Sequence, residues 1–201
     1  MSKRSWIIIG IVIVALIILY NVVAALTFRP YNEMVRLDEG VKTAWAQVEN
    51  VYQRRSDLIP NLVNTVKGYA EHEKSTLEEV TNARSNATGM KIDPKDLSPE
   101  NIQKFQKAQD ALGASLSRLL VVMEKYPDLK ANQNFLEFQT QLESTENRIA
   151  VERNKFNDVV KEYNTYIRSF PNNMISGMYG FIKRGYFEAA AGAAKAPEVK
   201  F

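Results

Sequence analysis

The sequence predicts an all-α protein in which an N-terminal transmembrane helix precedes an elongated antiparallel helical bundle with coiled-coil-like packing. Two observations carry this prediction. An apolar run occupies residues 6–28, and between residues 135 and 170 a large apolar side chain recurs at every seventh position without a gap. The run is long enough to cross a bilayer. The seven-residue repeat is typical of a helix that packs against neighbours along nearly its whole length.

The composition limits the classes of function open to the chain. The 201 residues are 45% hydrophobic, which is sufficient for one domain with a real core and short appendages. The net charge is +3, and beyond the basic tip at residues 1–5 the charges alternate in sign, so nucleic acid is not an expected partner. The absence of cysteine excludes disulfides, thiolate metal sites and thiol nucleophiles.

The first element is a membrane anchor. The apolar run at residues 6–28 follows Lys3 and Arg4, and at a rise of about 1.5 Å per residue some 20 of its residues would cross the ~30 Å hydrocarbon core. Tryptophan and tyrosine at the two ends of such a span are suited to the interfaces. The residues expected to contact lipid include Trp6, Ile7, Ile13, Leu16, Tyr20 and Leu26.

The alternative to an anchor is a cleaved signal peptide. Small residues at positions 23–25 fit a cleavage site, but the apolar run exceeds the usual signal core of about 7 to 15 residues, so we expect it to be retained. The basic residues ahead of the run favour a cytoplasmic N-terminus and hence an extracytoplasmic bundle. Arg29, Arg36 and Lys42 lie close to the other end and weaken this bias.

A second, very long helix is expected to follow the anchor. Pro30 should end the span and open a new helix, and apolar residues then recur at helical spacing from Met34 to Tyr69. The pattern predicts about 55 helical residues from Tyr31, some 80 Å at 1.5 Å per residue. Pro60 lies inside this stretch and is expected to kink it, and the pattern leaves open whether the helix bends or breaks.

Turn-forming residues separate this helix from the next. The apolar pattern fades after Ala83, and residues 86–89 (NATG) are expected to begin a loop. Ser98 and Pro99 are a typical N-cap and first residue of a shorter amphipathic helix, which Pro127 should terminate.

The clearest periodic signal comes next, from Asn132 to Phe170, and Pro171 stops it. Residues 174–187 are rich in Met, Phe, Tyr and Gly, and they form either a short helix closing one end of the bundle or a surface that lies on lipid or joins subunits. The expected organisation is a basic tip at 1–5, a transmembrane helix at 6–28, a helical bundle at 30–187 and an Ala-rich tail at 188–201.

No catalytic, cofactor-binding or metal-ligating residue is predicted. The one histidine, His72, begins a His-Glu-x-x-Thr sequence, and the second imidazole of a zinc-protease helix would have to stand where Thr76 does. Phosphate-binding loops and nucleophile elbows are absent from the sequence. We therefore expect a protein that is not an enzyme, needs no cofactor and has no evident small-molecule substrate.

One charged residue interrupts an apolar row. Arg55 falls on the same seven-residue line as Val48 and Leu62. A buried charge without a partner is costly, whereas a paired one commonly fixes register, so Arg55 is predicted to pair with Glu146 or Glu152 between helices. The alternative is that the surrounding stretch binds a partner protein. That docking surface would comprise Arg54, Asp57, Pro60 and Asn61.

Several sequence blocks resemble the LemA family, and in this order they are highly specific. They are Tyr31-Asn32, Ala44-Trp45 and residues 52–63 (YQRRSDLIPNLV), 66–70 (VKGYA), 146–151 (ENRIAV), 163–167 (YNTYI), 170–173 (FPNN) and 197–201 (PEVKF). The resemblance implies a bacterial single-pass membrane protein with a helical bundle and without enzymatic activity. Together with the charge bias around the span, this gives an expected location in the inner membrane, with the bundle more readily periplasmic than cytoplasmic. The resemblance suggests a role at the cell envelope by association only.

Two functions are consistent with these observations. The first is a non-enzymatic scaffold that forms homo-oligomers at the bacterial cell envelope, with part of the long helix's apolar stripe left free for another copy. The second is an adaptor or regulatory subunit for a membrane protease or another envelope membrane protein. In both the lipid bilayer is a partner.

Overall fold

The computed structural model describes residues 3–69 and 73–188, and within these ranges the chain is helical without a strand. The predicted all-α class is confirmed. His72 and the tail beyond residue 188 lie outside the described residues. The helices are α1 (Lys3–Lys67), α2 (Lys74–Gly89), α3 (Pro99–Met123), α4 (Pro127–Lys130), α5 (Gln133–Arg168) and α6 (Asn172–Tyr179).

Helix α1 is one element of 65 residues that contains both the apolar run and the first helix of the bundle. The expectation that Pro30 ends one helix and opens a new one is therefore wrong. Proline removes only one backbone hydrogen bond from a helix, and Pro30 is buried against the bundle, as is Met34 one turn later. Packing on one side and an uninterrupted helical run on the other hold the backbone helical through this position.

Pro60 does not break α1 either. A proline lacks the N–H that would bond to the carbonyl four residues earlier, which here belongs to Ser56. Arg84 of α2 supplies the missing donor, because its Nε donates to the Ser56 carbonyl oxygen at 2.9 Å. The helix is continuous on both sides of Pro60, and the orphan carbonyl becomes an attachment point for α2.

Three sequence-derived boundaries are displaced. The long helix ends at Lys67 rather than near residue 85. Gly68 and Tyr69 then form a turn, in which the Tyr69 N–H donates to the Val66 carbonyl at 2.9 Å. Glycine is a poor helix former, which favours a stop there. Residues 86–89 are the last turn of α2, since Ala87 is buried. Helix α3 already ends at Met123, and Pro127 opens the short α4.

The bundle runs up, down, up and down. Helix α5 is antiparallel to α1, because Arg36 and Arg55 of α1 meet Glu162 and Glu146 of α5. Tyr69, just after α1, likewise meets Asn132, just before α5. Helix α2 runs antiparallel to α3, as the Glu79–Arg118 ion pair and the Glu73–Tyr126 hydrogen bond show. Asn132 is the N-cap of α5, and its side chain accepts from the Phe135 N–H at 3.2 Å.

Two apolar clusters fill the bundle. We name them the membrane-end core and the far-end core by their distance from the apolar run. The membrane-end core is built around Met34, Trp45, Phe105, Phe156, Tyr163 and Phe187. The far-end core is built around Ile59, Leu62, Leu77, Leu112, Leu119 and Phe135.

The membrane-end core is closed by non-helical chain rather than by α2. The loop between α2 and α3 contributes Ile92 and Leu97, and the extended segment 181–188 returns from α6 to contribute Phe187. The Gly185 N–H donates to the Leu97 carbonyl at 2.8 Å. A Cβ at Gly185 would lie 2.7 Å from the Pro99 Cα, so this close approach requires glycine.

Candidate functional site

The apolar part of α1 stands clear of the bundle. One helix of the described chain is apolar enough to span a membrane, its most apolar window has a mean hydropathy of 3.0, and none of that window is buried within the protein. The lipid-facing residues expected from the sequence are exposed wherever their side chains are described. These are Trp6, Ile7, Ile13, Leu16 and Tyr20, whereas the side chain of Leu26 lies outside the described residues.

Two polar side chains bond back to the backbone within this apolar stretch. The Asn21 Nδ2 donates to the Ile17 carbonyl at 2.8 Å, and the Thr27 hydroxyl donates to the Val23 carbonyl at 2.7 Å. The threonine hydroxyl is thereby satisfied as a donor. The Asn21 amide is not, because its carbonyl oxygen and a second N–H remain without a partner among the described residues.

Arg55 is buried, with 3% of its surface exposed, and it joins several helices. Its Nη1 donates to Glu146 Oε1 at 3.0 Å, and its Nη2 donates to the backbone carbonyl and the side-chain oxygen of Gln109 at 3.0 and 2.7 Å. The Gln109 Nε2 in turn reaches the Ala87 carbonyl at 3.3 Å. The network thus links α1, α2, α3 and α5.

Of the two carboxylates considered for Arg55, the structure places Glu146 against it and Glu152 elsewhere. Glu152 accepts from the Lys155 Nζ on its own helix at 2.8 Å. The Arg55 guanidinium also lies 5.0 Å from the centre of the Tyr52 ring, an arrangement that favours the cation. The contacts suit a residue that fixes the alignment of helices.

A second buried arginine, Arg184, was not anticipated from the sequence. Its Nη2 donates to Asp38 Oδ1 at 2.7 Å and its Nη1 to the Lys95 carbonyl at 2.7 Å, while the Asn164 side chain brackets the Arg184 backbone with two hydrogen bonds. Lys42 also contacts Asp38, at 2.9 Å. Burial alone would raise the pKa of Asp38, but hydrogen bonds from Lys42 and Arg184 outweigh it and hold that pKa below its ordinary value.

The residues of the alternative docking surface, Arg54, Asp57, Pro60 and Asn61, are all exposed on α1. Asp57 accepts from the Gln53 Nε2 at 2.7 Å. Asn61 borders a shallow depression between α1 and α5 that also includes Phe138 and Gln141. The four side chains are therefore accessible on a largely polar face. Of the four, Asn61 alone lines this depression, so the structure does not bring them together in one pocket.

Metal-binding groups do not cluster in the described part of the chain, where no three His, Cys, Asp or Glu residues are placed to hold an ion. The features that stand out are instead a bare apolar helix, two arginine networks and exposed faces. An apolar helix can bind lipid, arginine networks can orient helices, and exposed faces can join other surfaces.

Comparison with known proteins agrees with this description. The chain is 25% identical over 196 residues to magnetosome protein MamQ 2 of Paramagnetospirillum magneticum, covering 89% of this chain and 72% of that protein. It is 25% identical over 160 residues to protein LemA of Metamycoplasma hominis, covering 79% and 69%, and 26% identical over 174 residues to magnetosome protein MamQ of Magnetospirillum gryphiswaldense, covering 78% and 64%. None of these names denotes an enzymatic activity.

The family model for LemA matches residues 44–201, from the middle of α1 through the rest of the bundle and the tail. This match spans most of the chain and includes both arginine networks except Asp38 and Lys42. Together with the membrane-spanning character of α1, it identifies a membrane-associated helical-bundle protein that belongs to the LemA family.

Proposed function

We propose that the protein is a non-enzymatic, membrane-anchored scaffold that assembles with copies of itself at the bacterial cell envelope, with its spanning helices in lateral contact. The observation that carries this proposal is the incompletely bonded amide of Asn21 on the apolar, unburied part of α1. The basic residues at the N-terminus favour an extracytoplasmic bundle, and we propose that orientation.

The bundle offers little apolar surface for self-assembly. Most of the apolar stripe of α1 from Met34 to Val66 is buried, because α5 packs along it together with α2, α3 and the C-terminal segment. Ala44, Val51 and Leu58 of the stripe are half-buried and Tyr69 is exposed, so a contact through the part that remains free stays a prediction. The largest exposed apolar surface is the spanning part of α1, and self-assembly is therefore assigned to it.

A neighbouring copy would satisfy the Asn21 amide. Hydrocarbon offers no hydrogen-bond partner, so an amide exposed there favours helix association. Gly10, Val14 and Ile17 lie on the same helical line as Asn21, at spacings of four, three and four residues, and all are exposed. Gly10 has nothing within 4 Å of its would-be Cβ, and a small residue of this kind allows two helices to approach closely.

The test compares Asn21→Leu with Ile18→Leu, an apolar exchange away from this line. Full-length protein in liposomes is labelled with donor and acceptor dyes, and energy transfer is followed as the protein is diluted in lipid. Asn21→Leu should weaken association by about threefold to tenfold, since interhelical polar contacts contribute about 0.6–1.5 kcal/mol. Ile18→Leu should leave it unchanged.

Two results would contradict this proposal, the first for self-assembly itself and the second for the proposed interface. Wild-type protein that remains monomeric at every lipid ratio would exclude self-assembly. Equal association of wild type and Asn21→Leu would remove Asn21 and its line from the interface.

A second candidate is the adaptor, and the observation that favours it is the exposed polar face of α1 at Arg54, Asp57 and Asn61. In this function an envelope membrane protein would dock beside the depression between α1 and α5. The double charge reversal Arg54→Glu with Asp57→Lys should abolish capture of such a partner from native membranes while leaving energy transfer between copies intact. Retained capture would exclude this face.

A further inference from the structure

The largest concentration of exposed apolar side chains outside the spanning segment lies on and around α6. We name it the α6 patch. Its members are Phe170, Met174, Met178, Tyr179 and Ile182, which are exposed by 82%, 64%, 81%, 57% and 53%. Monomeric soluble proteins rarely gather so many large apolar groups in one place without a partner for them.

The helix that presents this patch is firmly attached to the bundle. Ile175 and Ser176 are buried, and the Ser176 hydroxyl donates to the Ile167 carbonyl at 3.0 Å. Met174 and Met178 are four residues apart and therefore share one face of α6, and both are exposed. Burial of Ile175 and Ser176 holds α6 on the bundle with these methionines outward.

The α6 patch lies level with the end of the apolar run. Helices α1 and α5 are antiparallel and Arg36 faces Glu162. Residues that follow Glu162 therefore lie level with residues that precede Arg36 by the same number. Phe170 accordingly reaches the level of Phe28. Ring contacts fix the same position, because the Tyr31 ring centre is 4.8 Å from that of Tyr179. Tyr31 lies only three residues past Phe28, or about 4.5 Å of helix rise.

The unpaired charges around the patch are of one sign, because the nearby carboxylates of Glu33 and Glu162 are both paired with Arg36. Arg29, Arg168 and Lys183 are exposed, and none of them forms an ion pair or side-chain hydrogen bond within the described residues. The sequence from residue 169 to residue 187 contains no Asp or Glu. A cationic rim around an apolar face is the pattern of a surface that binds anionic lipid.

We propose that the α6 patch is a second membrane-contact site, which lies in the headgroup region of an anionic bilayer beside the point where α1 emerges. Met174, Met178 and Phe170 enter the boundary between headgroups and acyl chains, and Arg168 and Lys183 meet lipid phosphates. The inference shares with the proposed function the bilayer-spanning helix and does not depend on self-assembly.

The test uses the natural absence of cysteine. Single cysteines are introduced in the full-length chain at Met178→Cys, at Val121→Cys as a control of similar exposure near the far end of the bundle, and at Leu16→Cys within the span. Each carries an environment-sensitive fluorophore. The labelled proteins are reconstituted in liposomes of phosphatidylcholine with about 30 mol% phosphatidylglycerol, with and without nitroxide-labelled lipids that quench the dye.

Met178→Cys should show blue-shifted emission and at least about threefold more quenching than Val121→Cys, as expected for a side chain inserted at the headgroup boundary. Replacing phosphatidylglycerol with phosphatidylcholine, or introducing Arg168→Gln with Lys183→Gln, should reduce that quenching. Equal, weak quenching at Met178→Cys and Val121→Cys, with strong quenching at Leu16→Cys, would overturn the inference and leave the anchor intact.

Two other outcomes also overturn it. Weak lipid quenching at Met178→Cys together with strong energy transfer between copies labelled there would assign the α6 patch to a second copy. Weak quenching at Leu16→Cys would remove the span itself, on which the proposed function also depends. Failure of the Asn21→Leu experiment, by contrast, leaves the expected quenching at Met178→Cys unchanged.

Discussion

At the scale of residues, the two buried arginines are stabilised in different ways. Arg55 meets one half-exposed carboxylate, Glu146, and relies on the Gln109 oxygens for its buried hydrogen bonds. Arg184 meets a carboxylate that is itself buried, Asp38. Removal of one partner from a buried pair leaves an uncompensated group, which costs far more than the loss of an exposed pair.

Arg55→Met should therefore lower the free energy of unfolding by about 2–4 kcal/mol, because it leaves the buried Gln109 side-chain oxygen without its donor and Glu146 without its ion-pair partner. Glu146→Gln should cost less than about 1 kcal/mol, because the Glu146 side chain is 45% exposed and keeps its size. Urea unfolding of the full chain in detergent micelles, followed by the fluorescence of buried Trp45, measures both. Equal losses would contradict the central role given to Gln109.

The Asp38 carboxylate predicts a pH dependence. Its pKa is lowered in the folded protein because the Lys42 and Arg184 hydrogen bonds outweigh burial. The unfolded carboxyl, with an ordinary pKa near 3.9, takes up a proton first as the pH falls. Its contribution to stability is thus present above that pKa and is lost as the pH falls through the folded pKa. In thermal unfolding, the midpoint temperature should fall once the pH is lowered below about 4. This fall should be smaller in Asp38→Asn, whose midpoint temperature is already lowered at neutral pH.

The arginines also show what periodicity can reveal. Arg55 could be found from the sequence because it interrupts a regular apolar row, and a violated pattern demands a compensating partner. Arg184 lies in segment 181–188, which is not helical and follows no row. No expectation is broken there, so its burial follows only from long-range contacts.

At the scale of elements, α1 is a helix with two internal prolines. Local preference places a boundary at Pro30, and tertiary packing overrides it. At Pro60 the hydrogen bond that the backbone lacks is replaced by Arg84 from another helix. The two prolines are thus tolerated because Pro30 is buried and because Arg84 replaces the hydrogen bond that is missing at Pro60. A sequence pattern alone does not show either compensation.

Arg84→Met should cost about 1–2 kcal/mol of stability, since it leaves the Ser56 carbonyl without a donor. In the Pro60→Ala background the backbone N–H of residue 60 can bond to that carbonyl, and the same Arg84→Met change should cost less. Unfolding of the wild type, both single variants and the double variant forms a double-mutant cycle. Additive effects would show that Arg84 does not substitute for the missing N–H.

At the scale of the whole molecule, the bundle has two cores of different construction. The far-end core is closed by helices, whereas the membrane-end core is closed by Phe187 from the C-terminal segment. The Phe187 ring lies 6.1 Å from Trp45 and 5.5 Å from Phe156. The last described residues therefore complete the half of the bundle nearest the bilayer.

Phe187→Ala should lower the free energy of unfolding by about 3–5 kcal/mol, the usual cost of removing a buried aromatic ring. It should also red-shift the Trp45 emission. Tyr186→Ala is the matched control. The Tyr186 side chain is next to Phe187 in sequence and is 37% exposed, so its removal should cost much less stability. Thermal unfolding in detergent compares the two variants, and a similar loss for both would contradict the closing role of Phe187.

The sequence is sufficient to predict the all-α class and the heptad helix now described as α5, because a seven-residue repeat permits few other structures. It is also sufficient to select Arg55 and a short set of partners for it. The α6 patch and the extended closing segment could not be derived in the same way. Their positions depend on where α5 ends relative to α1, which is a property of the assembled bundle.

The uninterrupted passage of α1 through Pro30 has a mechanical consequence. Because the described helix is continuous across Pro30, the proposed spanning part and the first helix of the bundle would move together as a lever about the bilayer surface. From Phe28 to the end of α1 at Lys67 the arm is about 60 Å long, and a 10° tilt adopted to match bilayer thickness would sweep its tip sideways by about 10 Å. Changes in lipid thickness would thus be converted into displacement of the outermost end of the molecule.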